Sequence, residues 1–235
     1  MNQQDKIVSM FNDISKTYDV ANRVLSFGVD KKWREIACKK TFKLYGKKDI
    51  DTILDVACGT GDMCENWDKF SKKEDITIDK IIGADPSVGM LEEAKKKSLN
   101  AEFVEAEAKD LPFQDESVDI LSISYGLRNV VNREEGLREF HRVLKKDGLL
   151  VILEFTKLKK QNLITMGRDF YMKKILPIVG GVLSRNFGAY SYLPNSIDGF
   201  LTKEDLVDEL KEIGFTMKEA KGYSMDISTL FIARK

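Results

Sequence analysis

The chain is 235 residues long, enough for one substantial α/β domain and too short for two ordinary ones joined by a linker. Its 38 Lys and Arg balance 38 Asp and Glu, so no global field would hold nucleic acid or another polyanion by counterion release. Three cysteines (Cys38, Cys58, Cys64) without metal-ligand spacing, and the single histidine His141, point away from a metal site and towards a reducing cytoplasm. The first nine residues are polar, unlike a signal peptide. The longest apolar run, 175–183, is broken by Pro177, Gly180 and Gly181 and is too short to span a bilayer.

Taken in order, residues 3–48 read as two or three helices without a strand, a helical lid over whatever follows. From residue 50 to 156, short apolar runs alternate with segments of helical period, the pattern of a parallel sheet with crossover helices. The spacing predicts strands at 52–57, 80–84, 101–106, 118–124 and 149–155. It predicts helices at 62–70, 88–98 and 132–144, the last closed by Lys145, Lys146 and Gly148 as cationic end and cap. The aromatic, glycine-containing stretch 165–195 has no strand signal and suggests a helical cap inserted over 160–198. A helix follows, capped by Thr202 with Asp205, and then strands at 215–220 and 228–233, close enough to pair antiparallel. The whole is expected to be a single α/β domain, 1–235. Its Rossmann-like, seven-stranded, mostly parallel sheet would carry an antiparallel C-terminal strand, with helices on both faces.

Three strand ends carry chemistry. Asp55-Val56-Ala57-Cys58-Gly59-Thr60-Gly61 leaves the first strand and opens a helix, and its glycines Gly59 and Gly61 let backbone approach a ligand. Nicotinamide enzymes share such a loop, but their fingerprint needs a third small residue where this chain has Cys64. Asp55 is placed to face an ammonium or sulfonium charge, with Asp62 as an alternative acid. Asp85, at the second strand's end, has the spacing of a carboxylate that binds ribose hydroxyls. After the third strand, Glu107-Ala108-Lys109-Asp110-Leu111-Pro112-Phe113 is typical of small-molecule methyltransferases, in which the preceding turn lies against adenine. Together the three predict an S-adenosylmethionine site on a class I methyltransferase fold.

The fourth strand runs into Ser124-Tyr125-Gly126-Leu127-Arg128-Asn129, polar groups where the acceptor should stand. Tyr18-Asp19-x-x-Asn22-x-x-Leu25-Ser26-Phe27-Gly28-x-x-x-x-Trp33, the Tyr-Gly-Leu-Arg-Asn segment and Arg142-Val143-Leu144-Lys145 with Gly148 and Leu153-Glu154-Phe155 resemble the ubiquinone/menaquinone biosynthesis C-methyltransferase family from about Phe11 onward. The chain departs from the family's usual pattern at Ala21, Asp30 and Lys146-Asp147. The resemblance implies methyl transfer to a ring carbon of a polyprenylated quinol, demethylmenaquinol or the benzoquinol precursor of ubiquinol. It carries cofactor contacts onto Thr60, Asp85, Glu107, Ala108 and Ser124. Arg128 is expected to stabilise a phenolate, because a guanidinium keeps its proton. Asn129 would orient the hydroxyl, and Tyr18 would close the pocket.

A polyprenyl acceptor needs an apolar groove, for which Phe170, Tyr171, Ile175 to Val179, Phe187, Tyr190 and Tyr192 are candidates. Lys31, Lys32, Arg34, Lys39, Lys40, Lys43, Lys47 and Lys48 form a basic run suited to anionic lipid, consistent with a cytoplasmic protein peripheral at the inner face of a membrane. A homodimer stays open. So do a methyltransferase for another small acceptor and a non-catalytic nucleotide-binding or membrane-docking protein, against which Arg128 and Asn129 argue.

Overall fold

The computed structural model of the chain describes residues 2–97, 99–159, 171–184, 186–224 and 226–235. Seven strands form one sheet: β1 Asp49–Val56, β2 Thr77–Asp85, β3 Glu102–Glu105, β4 Val118–Ser124, β5 Leu144–Glu154, β6 Thr216–Tyr223 and β7 Ser228–Arg234. Their spatial order is β3-β2-β1-β4-β5-β7-β6, with β7 antiparallel to both neighbours and the rest parallel. The central strands are covered on both faces and so read as continuous apolar runs; in β4 every residue but Ser124 is buried. The strand order reverses between β1 and β4, so their carboxyl ends splay apart and leave a crevice.

The helices are α1 Gln3–Leu25, α2 Val29–Tyr45, α3 Asp62–Lys73, α4 Val88–Lys96, α5 Arg133–Val143, α6 Leu176–Ser184, α7 Phe187–Asp198 and α8 Lys203–Ile213. One core layer packs α5 and α8 on the sheet through Leu137, Phe140, Leu206 and Leu210; the opposite layer packs α2 and α3 through Trp33, Phe42, Met63 and Trp67. The N-terminal segment forms two helices. They are tied to the sheet domain by an ionic cluster in which Arg23 bonds Asp30 and Asp62, Arg34 bonds Asp30 at 2.6 Å, and Lys97 bonds Asp19 at 2.6 Å and Asp62 at 3.0 Å. Burial would raise the Asp62 pKa, but Arg34, Lys97 and Arg23 prevail and hold it at about 2.

Two expectations need correction. The helix expected to end on Lys145 to Gly148 stops at Val143, and those residues belong to β5. Lys145 Nζ reaches Asp119 at 2.9 Å, and the Ser117 N–H donates to the Val143 carbonyl at 2.9 Å, so strand pairing captures the segment. The basic run expected to meet anionic lipid is not wholly free to do so either: Arg34 is buried in the ionic cluster, and Lys40 pairs with Glu219 at 2.6 Å. Of the cap expected over 160–198, residues 160–170, including Phe170, lie outside the described residues. The remainder forms a π-helical turn, Tyr171–Ile175, then α6 and α7. The Ala189 and Tyr190 side chains of α7 cluster with Ile14, Ala21 and Leu25 of α1. Among the described residues no helix is long and apolar enough to cross a membrane.

Candidate functional site

The loop after β1 turns sharply: Gly59 and Gly61 take φ of 55° and 81°, values that glycine adopts without strain, and Gly61 caps α3. Beside it, the β4 exit presses on the β1 exit so closely that a Cβ on Gly126 would stand 2.5 Å from the Ala57 Cβ. Between these exits, at the carboxyl edge of the sheet, lies a cavity of about 310 Å³. Val56, Ala57, Gly59, Asp85, Glu107, Ala108, Ser124 and Asn129 contribute to its wall, and Gln4, Phe11 and Tyr18 of α1 close it. Gln4 accepts from the Val131 N–H at 3.0 Å, while Asn12 accepts from Ser87 and Gly89 at 2.8 Å, holding α1 across the opening.

Asp85 is the buried acid of this wall. Its carboxylate accepts from the Gly59 N–H at 2.9 Å and the Ser87 N–H at 2.8 Å. Burial pushes its pKa up to about 6, although both N–H groups oppose the shift. A carboxylate has about four lone-pair sites, so two stay open for ligand hydroxyls. An acid for a diol, an apolar slot bounded by Ala57, Ala108 and Val130, and backbone without side chains at Gly59 together fit a nucleoside donor such as S-adenosylmethionine.

A second cavity, also about 310 Å³, shares Phe11, Tyr18 and Tyr125 with the first. Its wall is largely aromatic, with Trp33, Phe155, Tyr171, Tyr190 and Tyr192, and it contains Arg128. The short 3-10 turn Leu127–Asn129 sets consecutive residues on different walls, Arg128 in the second cavity and Asn129 in the first. Arg128 Nη1 donates to Glu154 at 2.7 Å and to the Tyr125 carbonyl at 2.6 Å, and Nε donates to Ser196 at 3.2 Å. Glu154, fully buried, also accepts from the Arg128 and Phe155 N–H groups. Tyr192 donates to Asn129 Oδ1 at 3.1 Å. The Tyr18 phenol stands where the cavities meet; burial raises its pKa, with Asn22, Arg128 and Arg34 opposing.

Gly59, Asp85, Glu107, Ala108, Ser124, Asn129 and Tyr18 therefore share one cavity, and Arg128 and Tyr18 share the adjoining one. Asp55, Thr60 and Gly61 line neither. Consecutive strand residues face opposite ways, so Val56 meets the cavity while Asp55 points towards α3. There Trp67 donates to Ser122, which donates to Asp55 at 2.6 Å; burial, against that hydrogen bond, lifts the Asp55 pKa to about 7. Thr60 donates to Asp19 at 2.5 Å and accepts from Lys97, and Asp62 is taken up by the ionic cluster. The contributions of Ser196 and Gln4 had no local sequence signal, since each acts across more than 20 residues of chain.

The family model described as the ubiE/COQ5 methyltransferase family matches residues 1–235. A relative named ubiquinone/menaquinone biosynthesis C-methyltransferase UbiE, from Campylobacter jejuni subsp. jejuni strain 81-176, is 55% identical over the full length of both chains. A demethylmenaquinone methyltransferase from Chlorobaculum tepidum is 38% identical, covering 99% of this chain and 93% of its own. Among solved structures, a possible histamine N-methyltransferase from Thermotoga maritima superposes with a TM-score of 0.62 at 19% identity, over 97% of this chain and 99% of that one. A methyltransferase from Aquifex aeolicus described as SAM dependent gives 0.58 at 18%, over 84% and 88%. These two likenesses concern the fold alone. The family match over the whole chain and the identity to its named members mean that this protein belongs to the ubiE/COQ5 methyltransferase family and is an S-adenosylmethionine-dependent methyltransferase.

Proposed function

We propose that this enzyme methylates a ring carbon of a polyprenylated quinol, a naphthoquinol or a benzoquinol, with the donor in the first cavity and the quinol ring in the second. The observation that carries the reading is the junction at Tyr18 and Tyr125, where an acid-bearing cavity meets an aromatic one. The names of the relatives, which include both quinone types, support the acceptor class. When bound, S-adenosylmethionine supplies an electrophilic methyl group on a sulfonium.

The chain's own residues have separable tasks. Asp85 would accept the ribose hydroxyls on its open lone pairs, with Gly59 backbone, Ala108 and Ser124 shaping the rest. Three of the five Arg128 N–H groups are taken by Tyr125, Glu154 and Ser196; the two on Nη2 make no hydrogen bond among the described residues and would face the acceptor oxygen. The guanidinium is a cation and so favours the phenolate by charge, and the proton leaves through water. Asn129, fixed by Tyr192, would hold the reacting edge from the donor side. The purified protein, given donor and either demethylated quinol lipid, should yield a product heavier by one CH2 in mass spectrometry. No mass gain with either lipid would overturn the acceptor assignment.

The second cavity opens at Phe27, which is 81% exposed, and Val29. Val24, Ile178, Val182 and Phe187 are further exposed apolar residues, and Lys31 and Lys32 are exposed beside Val29. Apolar side chains flanked by lysines at the mouth of a lipid-sized groove suit peripheral contact with an anionic bilayer, from which a polyprenyl quinol could enter. In flotation with phosphatidylglycerol vesicles, wild type should rise at low salt and Phe27→Asp should stay at the bottom; a wild type that stays down would remove the membrane role.

A further inference from the structure

Four buried side-chain polar atoms have no hydrogen-bond partner among the described residues: Arg34 Nε, Tyr190 Oη, Tyr223 Oη and Arg234 Nε. Only Arg34 and Tyr190, of these four, line one of the two cavities, and for both it is the second. The other nitrogens of Arg34 are committed to Asp30 and Asp62, and its guanidinium lies 5.3 Å from the Tyr125 ring centre. Tyr190 makes no such commitments. A buried hydroxyl left unpaired costs about 1–3 kcal/mol, a cost that is relieved where a ligand supplies the partner.

The placement of Tyr190 is built into the fold. Its ring lies against Gly180 so closely that a Cβ there would stand 2.2 Å from Cδ1, so only glycine on α6 admits the ring in this seat. Ile14, Ala21 and Leu25 of α1 pack around it. Burial, and then the neighbouring Tyr18 phenol, push its pKa up, so it remains a neutral proton donor. Two residues further along α7, Tyr192 reaches Asn129, and Ser196 reaches Arg128. A step of two residues on a helix turns about 200°, so Tyr190 approaches the cavity from the α1 side rather than from the Arg128 side.

A quinol ring carries two oxygens at opposite ends. With one beside Arg128, we infer that the Tyr190 hydroxyl donates a hydrogen bond to the other, making Tyr190 a residue that selects two-oxygen rings. This rests on the quinol reading above. It deepens that reading by assigning α7 a direct role in recognising the acceptor.

The test uses Tyr190→Phe, which removes only the hydroxyl, in the full chain. Two naphthol competitors are compared: a short-chain 2-alkyl-4-methoxy-1-naphthol, with an oxygen at each end of the ring, and the 2-alkyl-1-naphthol that lacks the far oxygen. Wild type should bind the two-oxygen ring about tenfold or more better than the one-oxygen ring, since a buried hydrogen bond is lost with the oxygen. The variant should bind the two alike. Its kcat/KM for the quinol should fall by about 10- to 100-fold with donor affinity and melting temperature unchanged. Equal preference for the two-oxygen ring in both proteins would overturn the inference while leaving the quinol reading intact. A melting temperature that falls while both competitors weaken equally would assign Tyr190 to packing and overturn it too. Wild type that neither methylates quinols nor binds the competitors would sink the quinol reading, and this inference with it.

Discussion

Replacing Arg128 with lysine should lower kcat by about 10²- to 10³-fold, the usual loss when one preorganised charge donor is removed from a developing oxyanion. Lysine keeps the charge and so avoids leaving Glu154 buried without a cation, a defect that would cost about 3–5 kcal/mol and confuse the result. It lacks the planar fork. One ammonium cannot hold Glu154, the Tyr125 carbonyl and Ser196 while also presenting donors to the acceptor. Donor affinity should be unaffected, because Arg128 lines the second cavity and not the first. Single-turnover rates with donor binding followed by calorimetry separate the effects, and full turnover in the lysine variant would remove Arg128 from the chemistry.

Asp85→Asn should weaken donor binding by about 10- to 100-fold at pH 8, the loss expected when charge-assisted hydrogen bonds to a diol become neutral ones. The pH dependence carries its own signature. Burial raises the folded pKa of Asp85 to about 6, so the group is ionised above that value and takes up a proton as the pH falls through it. Affinity for S-adenosylhomocysteine in wild type should therefore decline below pH 6, by up to about tenfold per unit, and the asparagine variant should be flat across the same range. For stability the sign is opposite: the folded chain binds this proton more tightly than the unfolded one, so the contribution is full at low pH and is lost as the pH rises through 6. A wild-type affinity that does not change between pH 5 and 7 would dissociate Asp85 from the ribose. Asp55, lifted to about 7, titrates in the same window but lies off the cavity, and Asp55→Asn should leave the decline in place.

Residues whose work is done by their own stretch of backbone were legible. Gly59 and Gly61 declare a tight turn because other residues resist their φ, and Asp85 follows from the fixed rise of a strand into a helix. The parallel strands could be anticipated because strands covered on both faces leave unbroken apolar runs between segments of helical period. Where a local signal competed with pairing at a distance, it lost. Lys145 to Gly148 look like a helix end, yet the pairing with β4 on either side of them, Leu144 with Val118 and Leu149 with Ile120, and the reach of Lys145 to Asp119 carry them in the strand.

Sequence alone determined the sheet, the family and the methyl donor, since each follows from periodicity, glycine spacing or matched motifs. Only the tertiary structure decided that Asp55 turns away from the cavity, that Asp62 and Arg34 are spent on holding α1 and α2, and that Arg128 and Asn129 face different cavities. It alone paired Arg128 with Glu154 and seated Tyr190 on Gly180. The reason is physical: a hydrogen bond or a close contact depends on where two distant segments meet, and one-dimensional spacing records only what each segment does by itself.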